Sequence, residues 1–355
     1  MTMEKPSRRA FIQTAALGSA AAAFAGTTAQ AQGRSRIRAA HIVPESSKMY
    51  QLSVGPFQRV LDIVTDGSFS FQVFAGGTIA PPLQTYQAVQ DGLAEAGMVP
   101  PLWAVNLDPV NSLFGGHPGG MAAEELLNWY FVGGGSELLA EHRRETMGLH
   151  SMLLSINPSE VWHSHKIIRV PEDLQGVRFR TAGAWATILN EYFGGAATTV
   201  GPSEVFTMLE RRGVDAAEWS TPSENLIMGL EDAAPYMIVP GIHAPAACLE
   251  LAIRAEVWDE LDASIQRKIE IAAREAVVEC LTEWSAADLT AMETMRERGI
   301  EIIEMDQSLI DAIRAAGRDW AEAQATERAA AGDDWMRRVT ESYYGFHDRW
   351  QANSI

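Results

Sequence analysis

Cysteine is nearly absent from this chain, with only Cys248 and Cys280 among 355 residues. So few exclude a disulfide scaffold, although an oxidising compartment would permit one bridge between them. Cys248 sits in the apolar run Ala246-Ala247-Cys248-Leu249 and Cys280 in a helical pattern, which predicts two buried free thiols. Positive charge is scarce too: 28 Lys and Arg stand against 46 Asp and Glu, a formal net charge of −18. Such a surface repels nucleic acid and anionic lipid headgroups, so neither is an expected partner. An anionic ligand would need a local basic pocket that overcomes this field. Beyond the N-terminal region no stretch reaches the roughly 18 uncharged apolar residues that span a bilayer. The sequence also lacks a Gly-rich phosphate loop, a G-x-S-x-G elbow, an H-E-x-x-H pair and a Cys-His pairing. No catalytic constellation with a sequence signature is therefore visible.

What is present begins at the N-terminus. Ser7-Arg8-Arg9-Ala10-Phe11-Ile12 precedes an alanine-rich apolar stretch, and Ala29-Gln30-Ala31 supplies a small-x-small cleavage pattern. Residues 1–31 read as a signal peptide, with twin arginines that resemble a Tat export signal and an ordinary Sec leader as the alternative. Loss of Glu4, Lys5, Arg8 and Arg9 with the leader takes the formal charge to −20. No lipobox cysteine follows, and the expected location is the periplasm.

The mature length suits two domains or one large one. Arg36 to Val43 reads as a strand, and Val54, Phe57, Val60, Leu61 and Val64 share one helical face. Ser70 to Phe74 alternates as a strand, Leu83 to Gly92 is helical, and Ala94 to Val99 reads as a short buried strand. This alternation predicts a parallel sheet with helices on its faces. It recurs with strands at Ile167-Ile168, Val177–Arg180, Thr198–Val200 and Val214–Trp219, and helices over Ala184–Phe193 and Pro202–Arg212. The fold class is α/β, with two lobes around a cleft. Lobe I takes 36–157 plus 246–285, lobe II takes 158–245, and a helical region, 286–355, spans the lobes or dimerises. Gly299 to Met305 is a possible strand within that last region. Ligands of such sheets lie at the C-terminal strand ends, where Arg180 and Glu218 fall.

Five segments together resemble the DctP-type solute-binding proteins of TRAP transporters, closest to the 2-oxo-acid/chloroaromatic-type subgroup. They are Phe74-Ala75-Gly76-Gly77 with Ala88-Val89-Gln90-Asp91-Gly92; Phe114-Gly115-Gly116 with Trp129-Tyr130 and Gly133-Gly134-Gly135; Asp173 to Arg180; Gly201-Pro202-Ser203-Glu204-Val205; and Gly213 to Trp219. Each is weak alone, and their order and spacing carry the resemblance. It implies a two-lobed, type II-like periplasmic binding protein. Such a receptor captures an organic acid, a 2-oxo acid or aromatic carboxylate, and delivers it to the transporter's membrane subunits. The alternatives are a sensor subunit that presents the ligand to a membrane kinase and an enzyme acting on organic acids.

In the family motif L-x-G-x-x-x-R, here Leu174 to Arg180, the final arginine pairs with the ligand carboxylate. A guanidinium suits that role because it offers planar, bidentate donors and stays charged. Arg178 points to the same face by strand alternation and could be the true partner or a second one. The resemblance gives the pair Glu218-Trp219 a further role. The glutamate side chain and the tryptophan carbonyl help hold Na⁺ or Ca²⁺, no other cofactor being implied. The subgroup's second glutamate is missing, since Pro240-Gly241-Ile242-His243 leads into Ala244 and Pro245. The glutamine expected near Asn157–Glu160 is not clear either. Without a metal, Glu218 and His243 would hydrogen-bond a polar group of the ligand.

Trp103, Trp129, Tyr130, Trp162 and Trp185 lie near these motifs as core residues or ligand walls. Ser46, Ser47 and Gln84 fall where the family's first lobe meets ligand. His163-Ser164-His165 reads as an exposed pair rather than a metal motif. The subgroup's long C-terminal helix implies a helix-swapped homodimer, in which Ile310, Ile313, Trp320 and Trp335 meet a second copy instead of their own lobes.

Overall fold

Eleven strands, β1 to β11, sort into two sheets in the computed structural model, which describes residues 35–354. The expected leader, 1–31, lies outside the described residues. Among the described residues no helix is long and apolar enough to cross a membrane.

The first sheet holds β1 (Arg36–His41), β2 (Ser70–Phe74), β3 (Ala96–Val99), β4 (Leu149–Asn157) and β10 (Ala247–Arg254), in the order β2-β1-β3-β10-β4. The second holds β5 (Trp162–Ser164), β6 (Arg178–Arg180), β7 (Ala196–Thr198), β8 (Ala216–Glu218), β9 (Tyr236–Val239) and β11 (Glu301–Glu304). Its order is β11-β9-β5-β8-β6-β7. Both sheets are mixed, which corrects the expectation of purely parallel ones. β10 runs antiparallel to β3 and β4, and β5 antiparallel to β8 and β9. The chain leaves the first sheet through β4, builds most of the second, and returns along β10. Two lobes with a cleft between them follow from this path. The strand expected at Ile167-Ile168 is instead β5, a few residues earlier.

Local chemistry explains the elements flanking the cleft. The helix Lys48–Thr65 starts at Ser47, whose hydroxyl accepts from Met49 N, and stops at Asp66 in the left-handed region. Its buried face carries Val54, Phe57 and Leu61 against the first sheet's core. The helix Ala263–Glu297 has 35 residues, about 52 Å of length. It packs along Lys48–Thr65 and β4 and then reaches the helix Pro222–Met228, so one rigid element touches both lobes.

The remaining helices close the other side. Gln307–Ala330 packs on the second lobe's helix Gly183–Phe193, and Trp335–Asn353 packs on Ala123–Val132 and Gly135–Met147 of the first. Ile313, Trp320 and Trp335 are buried in the main core and Ile310 packs against it, within their own chain. The apolar face that suggested a second copy is thus covered by its own lobes. Gly317 makes this docking possible, because a Cβ there would overlap the Pro118 carbonyl oxygen.

Both cysteines are free and buried, as expected. The expected exposure of the His163 pair is overturned. β5 lies inside the second sheet between β9 and β8, so His163 is fully buried, while the His165 Nε2 pairs with the Leu209 carbonyl oxygen at 2.8 Å.

Candidate functional site

Two strand ends on the second sheet converge on one cavity. β6 ends at Arg180 and its parallel neighbour β8 ends at Glu218. Arg180 is buried. Its Nη1 donates to the Glu218 carbonyl at 2.7 Å and lies 3.4 Å from the Glu218 Oε1. Nη2 donates to the Val200 carbonyl at 2.9 Å, while the buried Nε has no partner. The guanidinium carbon stands 5.6 Å from the centroid of the Trp219 ring. Backbone carbonyls fix the plane of the group without neutralising it, and one buried donor is left to satisfy. Glu218 Oε1 in turn accepts from the Ala182 backbone N–H at 2.9 Å.

Sequence reasoning missed Glu160. It lies on the turn between β4 and β5, with its N–H bonded to the Ala244 carbonyl at 3.1 Å. Gly241 permits this approach, since a Cβ there would overlap the Glu160 carbonyl oxygen. Glu160 therefore supplies the second carboxylate that was sought around Ala244. The subgroup's glutamine is expected near Asn157–Glu160, and a glutamate three residues past Asn157 is the available signal. His243 sits opposite, with Nε2 3.5 Å from the Glu160 Oε2. One donor atom each from Glu160, Glu218 and His243 lie within 4.8 Å of one another.

Burial sets the protonation of this trio. It pushes the Glu160 carboxyl up to about 8, against the opposing pull of Glu218 and Arg180. It also raises Glu218, against the attraction of Arg180. It lowers His243 to about 4, so its imidazole is neutral at pH 7.

The cavity wall combines both lobes. Met49, Leu102, Trp103, Asn157, Ala247 and Cys248 line it from the first, and Arg180, Trp185, Trp219 and His243 from the second. Trp103 faces Trp219 across it, ring centroids 6.4 Å apart, and Trp162 stacks on Trp185 at 5.6 Å behind it. The enclosed space open to the centres of water-sized molecules is about 40 Å³. A single water needs on the order of 10–15 Å³ on that measure, so only a small ligand fits. A larger groove beside it, lined by Leu102, Trp103, Leu107, Ala186 and Thr199, shares Arg180.

Not every expected residue arrives here. Arg178 lies at the start of β6, roughly 7 Å along the strand from Arg180, where the strand end meets solvent. It is exposed and bidentate to Asp215, with N–O distances of 3.2 and 2.8 Å, which holds that carboxyl well below its usual range. The structure thus removes Arg178 from the set of ligand contacts. Ser46, Ser47 and Gln84 also stay off the cavity wall. Trp129 and Tyr130 are core residues.

The profile of bacterial extracellular solute-binding protein family 7, DctP, matches residues 39–327. The chain belongs to the DctP family. This DctP protein is 24% identical over 346 residues to a monocarboxylate 2-oxoacid-binding periplasmic protein of Nostoc sp. (strain PCC 7120), covering 96% of this chain and 93% of that one. Its fold is similar to a TRAP transporter solute-binding protein of Bordetella bronchiseptica RB50, solved with calcium and picolinate in one active site of a mixed-occupancy dimer. The TM-score is 0.83 at 21% identity, covering 90% of this chain and 94% of the other. It is also similar to a TRAP periplasmic protein of Pseudoalteromonas atlantica T6c solved with sodium and pyruvate. There the TM-score is 0.81 at 23% identity, covering 90% and 95%. The chain is therefore an extracellular solute-binding receptor with the two-lobed fold of these proteins.

Proposed function

We propose that this receptor works in the periplasm and captures a small organic acid, a 2-oxo acid or an aromatic carboxylate, for delivery to the membrane subunits of a TRAP transporter. The observation that carries the reading is Arg180: a buried guanidinium, oriented by two backbone carbonyls, with an unpartnered Nε beside a small cavity walled by tryptophans. A carboxylate there would gain charge-assisted hydrogen bonds in a dry setting. Trp103 and Trp219, one from each lobe, would wall its apolar body from one side. The groove shared by Arg180 offers room for a longer side chain.

A cation beside the acid is part of this reading. The carboxylates of Glu160 and Glu218 supply oxygen donors for a metal ion, and two similar structures were solved with calcium or sodium beside the acid. When bound, such an ion would polarise the acid's oxygens. The protein's own groups do the selecting: Arg180 pairs the carboxylate, the indoles exclude water, and Glu218 fixes the Ala182 backbone beside the cavity. Closure would bring the two lobes together on the ligand.

Isothermal titration with pyruvate, longer 2-oxo acids and picolinate tests the reading, with recovered ligand analysed by mass spectrometry. One acid is expected to bind at one site and return unchanged. A chemically altered ligand would favour the enzyme reading. Absence of binding by every carboxylate would overturn the proposal.

A further inference from the structure

We propose that Glu160, Glu218 and His243 form a mixed oxygen–nitrogen site that prefers a divalent transition-metal ion, of the Zn²⁺ or Co²⁺ class, over Na⁺ and Ca²⁺. The inference deepens the acid-receptor reading, on which it rests only where the acid completes the coordination. Three separate segments deliver the donors: the end of β8, the turn after β4 and the loop after β9. Tetrahedral ligands about 2.1 Å from one ion lie about 3.4 Å from each other, so donors within 4.8 Å must draw inward by up to about 1.4 Å.

The imidazole is the second observation. His243 is buried at 3% exposure, and neither ring nitrogen has a hydrogen-bond partner. Its position beside Glu160 and Glu218 aims it into the cluster. Na⁺ and Ca²⁺ take hard oxygens and gain little from a ring nitrogen, whereas imidazole suits zinc, nickel and cobalt at about 2.0–2.1 Å. Three protein ligands leave a position open for a small molecule.

Charge separates divalent ions from Na⁺ only. With both carboxylates ionised a divalent ion is balanced and Arg180 balances the acid, whereas Na⁺ is balanced when one carboxyl keeps its proton. Ca²⁺ balances as well as Zn²⁺, so the imidazole alone separates the transition metals from Ca²⁺.

The test treats full-length mature protein with a chelator and adds Co²⁺ alone, reading its visible d–d absorption. A band of tetrahedral or five-coordinate intensity is expected, bleached by one equivalent of Zn²⁺ and resistant to a large excess of Ca²⁺ or Na⁺. H243Q should lose the band and bind Zn²⁺ more than about tenfold more weakly, with Ca²⁺ affinity unchanged. H243C, which restores a donor, should recover Co²⁺ binding with a thiolate charge-transfer band, and it serves if H243Q fails to fold. Displacement of Co²⁺ by Ca²⁺, or an unaltered band in H243Q, would overturn the inference. Pyruvate bound without any Co²⁺ site would overturn it too, yet leave the acid reading standing. Co²⁺ bound with no acid bound would sustain the metal site and sink that reading instead.

Discussion

The carboxylate of Glu224, from the second lobe, clasps Ser47 at the start of a first-lobe helix. Its Oε1 accepts from the Ser47 hydroxyl at 2.8 Å and its Oε2 from the Lys48 backbone N–H at 2.7 Å. Ser47 also caps the helix Lys48–Thr65 through Met49 N, so the carboxylate sits at the positive end of the helix dipole. E224A should remove this fastening between lobes. The expected cost to the closed form is about 1–3 kcal/mol, the range for a buried charge-assisted bond. Small-angle scattering of the unliganded variant should show a larger radius of gyration, and stopped-flow kinetics a faster ligand release. Unchanged scattering together with an unchanged release rate would refute the clasp.

The two arginines of β6 should part in behaviour. R180A removes the buried guanidinium and should cost the acid about 2–5 kcal/mol of affinity. R178A breaks an exposed pair with Asp215 and should leave affinity within error. Titration calorimetry of both variants decides. Equal losses would mean that Arg178 reaches the ligand after all.

Glu160 predicts a pH dependence of stability. Its folded carboxyl is raised from an ordinary value of 4.5 to about 8 by burial. The protonated form is thus the one that folding favours, and this contribution is present below about pH 4.5 and lost as pH rises through about 8. E160Q mimics the neutral form. In chelator, it should melt progressively higher than the parent between those two values, by at most about 1.4 kcal/mol per pH unit. Parallel melting curves across that window would show that Glu160 ionises freely.

Gly317 governs the tail. G317A adds a methyl group that meets the Pro118 carbonyl, so the helix Gln307–Ala330 must shift away from the first lobe. A loss of about 1–3 kcal/mol is expected, as for overpacking of a tight contact. Hydrogen exchange should quicken first around Trp320 and Tyr343, which lie on the buried faces of that helix and its neighbour. Protection unchanged there would show that the helix adjusts at no cost.

Much of the first-lobe order was legible along the chain. Arg36 and Arg38 alternate with Ile37 and Ala39, so β1 announces its buried face, and the spacing of Val54, Phe57 and Leu61 announces the helix that follows. Arg180 was legible because a motif places a permanently charged side chain at a strand end. β10 was not: Glu250 interrupts its apolar run, and only the fold reveals Tyr86 and Arg143 donating to that carboxylate at 2.7 and 2.9 Å. β5 was hidden for a similar reason, since His163 and Ser164 look polar until two neighbouring strands cover them.

By itself the sequence determined the charge, the scarcity of cysteine, the alternation of elements and the motif that ends on Arg180. These are properties of short stretches, which periodicity and side-chain chemistry express directly. The tertiary structure alone decided that Arg178 faces Asp215, that Glu160 rather than a residue near Ala244 completes the acidic pair, and that Glu224 clasps Ser47. Each of those depends on segments 37 to 177 residues apart meeting at a few ångströms. Local patterns carry no record of such meetings, because packing and backbone path set them together.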